Sequence, residues 1–161
     1  MRGEGMNSNI DNAYLGFDPG RDGAMAVIGS HLIPSALAFD KHVYVEELAD
    51  LKKQFNLFAV IEHVGAMPGQ GVTSCFSFGE SFGWLQGVLD AMHIPYELVR
   101  PQKWKRVFSC TSDKNTSIAV ASRLFPEVDL RRTTLCRKPH DGKAEALLIA
   151  EYARRIRNGQ P

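Results

Sequence analysis

The fold is best predicted from two short stretches of the sequence, YLGFDPG at residues 14–20 and AMAVI at residues 24–28. Side chains alternate between the two faces of a strand, so Tyr14, Gly16 and Asp18 would share one face. Pro and Gly then turn the chain, and the second stretch returns as the partner strand of a hairpin. Asp18 therefore stands at the end of a buried strand. From this stretch alone it is either a metal ligand or an ordinary turn residue.

Length and composition indicate one domain with a sizeable core, since the chain has 161 residues and 44% hydrophobic content. No apolar run is long enough to span a bilayer, so no membrane partner is expected. Residues 1–12 are polar and lack the apolar core of a secretory signal, so we expect a flexible tail followed by a single domain at 13–158. Cys75, Cys110 and Cys136 form no zinc pattern and favour a reducing, cytoplasmic location.

Charge is spread unevenly along the chain, although the net formal charge is only +1. Residues 1–99 carry 5 Lys and Arg against 12 Asp and Glu, a balance of −7. Residues 100–161 carry 14 Lys and Arg against 6 Asp and Glu, a balance of +8. The second half is therefore suited to a polyanion such as nucleic acid, although a solvated basic surface would have the same composition.

The hydrophobic patterns predict an α/β fold in which three strands come first and helices then alternate with strands. The predicted strands are 13–18, 23–29, 32–39, 57–61 and 96–99. The predicted helices are 43–55, 72–92, a short helix from Pro101, a helix capped by Ser112 or Asp113 that ends at Leu124, and 141–157. Pro34 suits the third strand to an edge of the sheet, because proline cannot donate to a second neighbour.

Carboxylates are predicted to gather at one edge of this sheet. Glu62 directly follows the apolar run 57–61, just as Asp18 ends the first strand. Asp141 and Glu145 open the last helix four residues apart, so they share a face. The helix dipole accounts for Asp141, whereas Glu145 lies among apolar residues and needs a partner such as a hard cation. Oxygen-only ligands select Mg²⁺, with Mn²⁺ as a substitute, and two such ions about 4 Å apart can drive phosphodiester hydrolysis.

Two basic segments are candidates for contact with a nucleic-acid backbone. In the segment 101–108, Trp104 lies between lysines, and a buried Trp flanked by solvated lysines is an equally good interpretation. The second segment is the loop 128–139, which precedes the last helix. The candidate contacts of the two segments are Lys103, Lys105, Arg131, Arg132 and Lys138.

A glycine ridge runs along the predicted helix 72–92. Gly79, Gly83 and Gly87 recur at steps of four beside an apolar seam that starts at Cys75. Each glycine weakens a helix by about 1 kcal/mol relative to alanine, so something must gain from the close approach that they allow. A neighbouring helix of the same chain, a second subunit and a nucleic-acid backbone are the candidates.

Four short blocks stand in an order and spacing typical of one enzyme family. The blocks are GFDPG at 16–20, VIE at 60–62, PQKWK at 101–105 and DGKAEALLIA at 141–150. They resemble the RuvC-type Holliday junction resolvases, most closely the phage-borne and plant chloroplast members, over roughly residues 13–155. The resemblance implies an RNase H-like fold with a central mixed five-stranded sheet flanked by helices. It also implies a homodimer that uses Mg²⁺ in the cytoplasm of a bacterium or of a phage host.

The activity that this resemblance implies is a crossover junction endodeoxyribonuclease, which resolves four-way DNA junctions by paired symmetrical nicks through a two-metal mechanism. Asp18, Glu62, Asp141 and Glu145 would bind the metals, and Lys114 matches a catalytic lysine that the family carries before its penultimate helix. Typical bacterial members place the last two acids three apart with Asp second, whereas here they are four apart with Glu second.

Two other functions share the same fold. An RNase H-like nuclease acting on RNA–DNA hybrids or on branched or flap DNA would use the same acids on a different substrate. A catalytically silent nucleic-acid-binding module would need none of them, so the intact set of acids argues against it.

Overall fold

A five-stranded mixed sheet forms the centre of the computed structural model, which describes residues 10–63, 65, 69 and 71–160. The strands are β1 (Asn12–Asp18), β2 (Ala24–Gly29), β3 (Leu32–Ala38), β4 (Asn56–Glu62) and β5 (Tyr96–Val99). Their order across the sheet is β3-β2-β1-β4-β5. The first three strands form an antiparallel meander, and β4 and β5 run parallel to β1. β3 is therefore an edge strand, as its proline predicted.

Helices cover both faces of the sheet. They are α1 (Lys41–Gln54), α2 (Val72–Ala91), α3 (Pro101–Val107), α4 (Lys114–Leu124) and α5 (Asp141–Arg157). One hydrophobic cluster joins α1 and α2 to the sheet, and the other joins α3, α4 and α5 to its opposite face. This arrangement confirms the predicted α/β class and the predicted number of strands.

The last helix, α5, packs directly on the central strand β1 at Gly16. A Cβ atom at this position would lie well inside van der Waals distance of the carbonyl oxygen of Ala146 and the amide nitrogen of Ala150. Only glycine therefore allows the helix backbone to approach the strand this closely. Together with its packing on other strands and on α3 and α4, this contact leaves every residue of α5 from Gly142 to Ala153 buried.

The first helix differs from its prediction in extent, since it spans 41–54 instead of 43–55. It begins at Lys41 because the side chain of Asp40 accepts hydrogen bonds from the amides of the first turn. Its buried face is formed by Tyr44, Leu48 and Leu51, whereas the neighbouring apolar residue Val45 is 37% exposed. An aromatic side chain takes the core position because the ring of Tyr44 packs against that of Phe17.

Some predictions concern residues that the structure does not describe. Residues 1–9 of the predicted tail lie outside the described part of the chain, as do residues 64, 66–68 and 70 around the predicted loop 65–71. Among the helices that are described, none combines the length and apolarity that a membrane crossing requires.

The glycine ridge of α2 faces open space. No described residue lies within 4 Å of a Cβ atom built at Gly79, Gly83 or Gly87. The interpretation that these glycines receive a neighbouring helix of the same chain is therefore wrong for the described residues. A second subunit and a nucleic-acid backbone stay as candidates for this surface.

The contact at Gly16 makes a testable prediction. We expect Gly16→Ala to lower the free energy of unfolding by more than about 3 kcal/mol, because backbone atoms of α5 would have to move away from β1. Urea denaturation followed by circular dichroism measures the change. Gly87→Ala is the matched control, and it should raise stability by up to about 1 kcal/mol since its site is helical and open. A Gly16→Ala protein as stable as the wild type would contradict the packing.

Candidate metal centre

Three carboxylates converge at one edge of the sheet. Asp18 is the last residue of β1 and Glu62 is the last residue of β4, and parallel neighbouring strands end at the same edge. Glu145 lies one turn inside α5, which Gly16 allows to approach this edge. One carboxylate oxygen from each of the three acids lies within 4.8 Å of the other two.

These acids are largely withdrawn from water. Glu62 is 5% exposed and Glu145 is 6% exposed, while Asp18 is partly buried. Burial raises the pKa of Asp18 well above its usual range, and the neighbouring negative charges of Glu62 and Glu145 raise it further. Burial also raises the pKa of Glu62. Like charges at this spacing are unfavourable without a cation, and three oxygen donors fit a hard divalent ion such as Mg²⁺ or Mn²⁺.

Side chains from α3 and α4 engage Glu145. The Lys105 ammonium lies 2.8 Å from Oε1 of Glu145, and the Ser117 hydroxyl donates to the same oxygen over 3.2 Å. Lys105 also lies over the ring of Trp104, with its Nζ 5.3 Å from the ring centre. Glu145 was predicted to need a partner for its charge, and Lys105 of the same chain is such a partner.

Trp104 is the hydrogen-bond partner of Glu62. Its side chain is fully buried, and its indole Nε1 donates to Oε2 of Glu62 over 2.5 Å. This hydrogen bond lowers the pKa of Glu62 and so offsets part of the effect of burial. Of the two interpretations of Trp104, the buried one is correct, and the indole is not available to a nucleic acid.

Asp141 is not one of the three converging acids, although its charge acts on Asp18, and it is paired with Lys114. Partial burial acts to raise the pKa of Asp141, but the hydrogen bond and charge of Lys114 outweigh it, so the pKa is lowered. The same hydrogen bond raises the pKa of Lys114. The charge of Asp141 still contributes to the raised pKa of Asp18. The structure thus brings the four predicted acids into one neighbourhood but gives Asp141 a partner of its own.

The basic loop before α5 is tied to the same neighbourhood. Arg132 donates to Asp22, which lies in the turn after β1, over 2.8 Å. The ammonium of Lys143 donates to the carbonyl oxygen of Arg131 over 2.7 Å and so fixes the loop to α5. Burial lowers the pKa of Lys143, whose side chain sits between the loop and the helix. The loop is therefore presented in a defined conformation beside the acids.

The predicted DNA contacts are divided by the structure into paired and exposed cations. Arg131 is held by Asp129 through hydrogen bonds of 2.8 to 3.2 Å, and Arg132 is held by Asp22. Lys103 on α3 and Lys138 in the loop are exposed.

Two partners of the acids were missed by the sequence analysis. Nothing in the sequence distinguishes Ser117 from any other short polar residue of a helix. Trp104 carried a usable signal, because a buried indole N–H needs an acceptor and a carboxylate was predicted at the same edge of the sheet.

Comparison with known proteins identifies the fold. No family model and no curated protein sequence matches this chain. The structure described as T. thermophilus RuvC in complex with Holliday junction substrate aligns with a TM-score of 0.59 and 14% sequence identity, over 92% of this chain and 97% of that chain. The structure described as Thermus thermophilus RuvC aligns with a TM-score of 0.58, at the same identity and coverage. This protein therefore has the RuvC-type, RNase H-like fold.

Proposed function

We propose that this protein is a metal-dependent endodeoxyribonuclease that resolves four-way DNA junctions by paired symmetrical nicks. The observation that carries this function is the convergence of Asp18, Glu62 and Glu145 at the strand ends of a RuvC-type fold. One of the similar structures is described as a complex with Holliday junction substrate. The resemblance of the four sequence blocks supports the further proposal that the chain is most similar to the phage-borne and chloroplast resolvases and forms one nuclease domain at 13–158 after a tail at 1–12.

The acids would hold Mg²⁺, or Mn²⁺ in its place. Divalent ions bound there would supply Lewis-acid stabilisation of a phosphodiester and activation of water, which is the chemistry of two-metal nucleases. Asp141 would complete the ligand set when Lys114 leaves it. The freed ammonium of Lys114, on a largely exposed side chain, would then stabilise the negative charge that develops on the scissile phosphate.

DNA would lie along the cations that surround the acids. Lys103 and Lys138 are exposed and offer direct phosphate contacts. Arg131 and Arg132 would exchange Asp129 and Asp22 for phosphates, so part of their binding energy would offset the loss of these ion pairs. Release of counterions from the DNA would make the affinity fall steeply with salt. Lys105 would neutralise charge next to the cleaved strand.

A homodimer would supply the second active site that paired nicking needs, because a four-way junction and a closed dimer both have two-fold symmetry. The surface that favours this assembly is α2. Val72 and Phe76 are 87% and 73% exposed, and the glycine ridge beside them is open. Two copies of α2 could approach closely along that ridge and bury both apolar residues.

The alternative function is an RNase H-like nuclease for RNA–DNA hybrids or for branched or flap DNA. One assay separates the two functions. The protein is incubated with Mg²⁺ and, in parallel, with a four-way junction, a linear duplex, a flap and an RNA–DNA hybrid. Paired nicks in the junction, with the other substrates intact, support the resolvase. Preferential cleavage of the hybrid or the flap would overturn it.

Stability should depend on pH through Asp18. The pKa of Asp18 is higher in the folded protein than in the unfolded chain, so the folded state keeps this proton to higher pH. Protonation of Asp18 therefore stabilises the folded state at low pH. We expect the unfolding free energy of the metal-free protein to fall as pH rises above about 4. Asp18→Asn should remove much of this fall, and Mg²⁺ should stabilise the wild type at pH 8 far more than the variant.

Urea denaturation in EDTA and in Mg²⁺ measures this dependence. Asp11→Asn, at an exposed carboxylate away from the cluster, is the matched control and should leave the pH profile unchanged. Identical profiles for wild type and Asp18→Asn would contradict the electrostatic description of the site.

Substitutions at Asp18 and Lys114 should lower the rate of DNA cleavage more than they lower the affinity for the junction. Asp18→Asn is expected to abolish cleavage and spare junction affinity, because it removes a charged ligand with little change of shape. Lys114→Ala should lower the cleavage rate by about 10²–10³ and affect affinity less. Single-turnover kinetics and gel-shift titration measure both quantities. Lys53→Ala, at an exposed lysine of α1, is the control. Full activity of Asp18→Asn in saturating Mg²⁺ would exclude the assigned role.

The dimer prediction uses the open ridge. Gly83→Leu fits the monomer, since no described residue lies within 4 Å of a Cβ atom there, but it would separate two ridges. We expect the Gly83→Leu protein to fold, as circular dichroism would show, and to sediment as a monomer. In the junction assay it should no longer make paired nicks. Glu46→Leu, an equally bulky change at an exposed position of α1, should stay dimeric. A Gly83→Leu dimer with normal paired nicking would rule out this interface.

A further inference from the structure

Glu62 accepts a short hydrogen bond from a neutral side chain. The distance from Trp104 Nε1 to Glu62 Oε2 is 2.5 Å, and both side chains are buried. An indole N–H is a donor only and keeps its proton at every physiological pH. It can neither exchange a proton with Glu62 nor compete with a cation by its own charge.

Orientation is the property of Glu62 that this contact controls. The terminal torsion of a glutamate is broad, so a free carboxylate samples many orientations. Without a cation, the negative charges of Asp18 and Glu145 also repel Glu62 from the position at which the three acids meet. A buried donor on one oxygen opposes both effects, because turning or withdrawing the carboxylate would leave the indole N–H without a partner.

The position of Trp104 in the fold favours such a role over simple core packing. α3 is only seven residues long, and its adjacent residues Trp104 and Lys105 contact two different acids. Trp104 holds Glu62 from β4, and Lys105 holds Glu145 from α5. One rigid element thus fixes the relative placement of carboxylates that come from distant parts of the chain.

We propose that Trp104 is a positioning residue of the metal centre, whose indole N–H holds the Glu62 carboxylate in the orientation that binds a divalent cation. This role presupposes the metal centre described under the proposed function. Groups that hydrogen-bond a metal ligand commonly change metal affinity 10–100-fold when they are removed.

Metal affinity tests the role directly and without any nuclease assay. Trp104→Phe removes the N–H and keeps an aromatic ring, and it should weaken Mn²⁺ binding at least about tenfold in isothermal titration calorimetry. Trp84→Phe is the matched control, since Trp84 lies on the other face of the sheet, and its dissociation constant should stay within about twofold of the wild type. In a Glu62→Gln background, the effect of Trp104→Phe should shrink, because the carboxylate that it orients is gone.

A second measurement uses the wild-type protein and so does not depend on whether Trp104→Phe folds. The chain has two tryptophans, so its nitrogen-15 spectrum contains two indole signals. The Trp84→Phe variant keeps only one indole signal, and this signal belongs to Trp104. Titration with Mg²⁺ should shift the Trp104 signal saturably and leave the Trp84 signal in place.

Two results would overturn the role of Trp104 while the metal centre stands. One is Mn²⁺ binding with the same dissociation constant in Trp104→Phe and wild type. The other is a Trp104 indole signal that stays fixed while calorimetry shows Mg²⁺ bound. Wild-type protein that binds neither Mg²⁺ nor Mn²⁺ would instead overturn the proposed metal centre, and the role of Trp104 with it.

Discussion

The close packing of α5 on Gly16 is the constraint on which the candidate site depends. The strand ends supply two acids, but the third comes from a helix that reaches the sheet edge only because β1 has no side chain at this point. α5 is also buried along most of its length between the sheet and its neighbouring helices, which holds Glu145 near the other acids although their charges repel it. Backbone packing therefore holds together a group of carboxylates that electrostatics alone would separate.

Charge balance around the site follows from this enforced proximity. Three acids near the sheet edge form ion pairs with basic residues. The pairs are Lys105 with Glu145, Lys114 with Asp141, and Arg132 with Asp22. Asp18 and Glu62 have no such ion pair among the described residues, and the pKa values of both are raised by burial. Two of these three pairs lie within residues 100–161, and the pair of Arg132 with Asp22 joins a cation of the second half of the chain to an acid of the first.

Local rules predicted the sheet and a gathering of four acids at its edge, of which Asp18, Glu62 and Glu145 converge. They placed Asp18 and Glu62 at one edge, which the structure confirms. They failed where tertiary contacts decide. Asp141 and Glu145 share a helix face, yet about 6 Å separates them along the helix axis, and of the two only Glu145 is in the group of converging acids. The bonds from Trp104 and Ser117 join elements whose packing no local pattern specifies.

The contact between β1 and α5 also has a consequence for biosynthesis. Gly16 and Ala146 are 130 positions apart, so their packing requires nearly the whole described chain to have left the ribosome. Such non-local contacts form late, because the entropy of a long closed loop must be overcome before the contact contributes any stability. A nascent chain that ends before α5 has its strands but lacks Glu145. The acidic cluster therefore cannot form until α5 has been synthesised and has packed on the sheet.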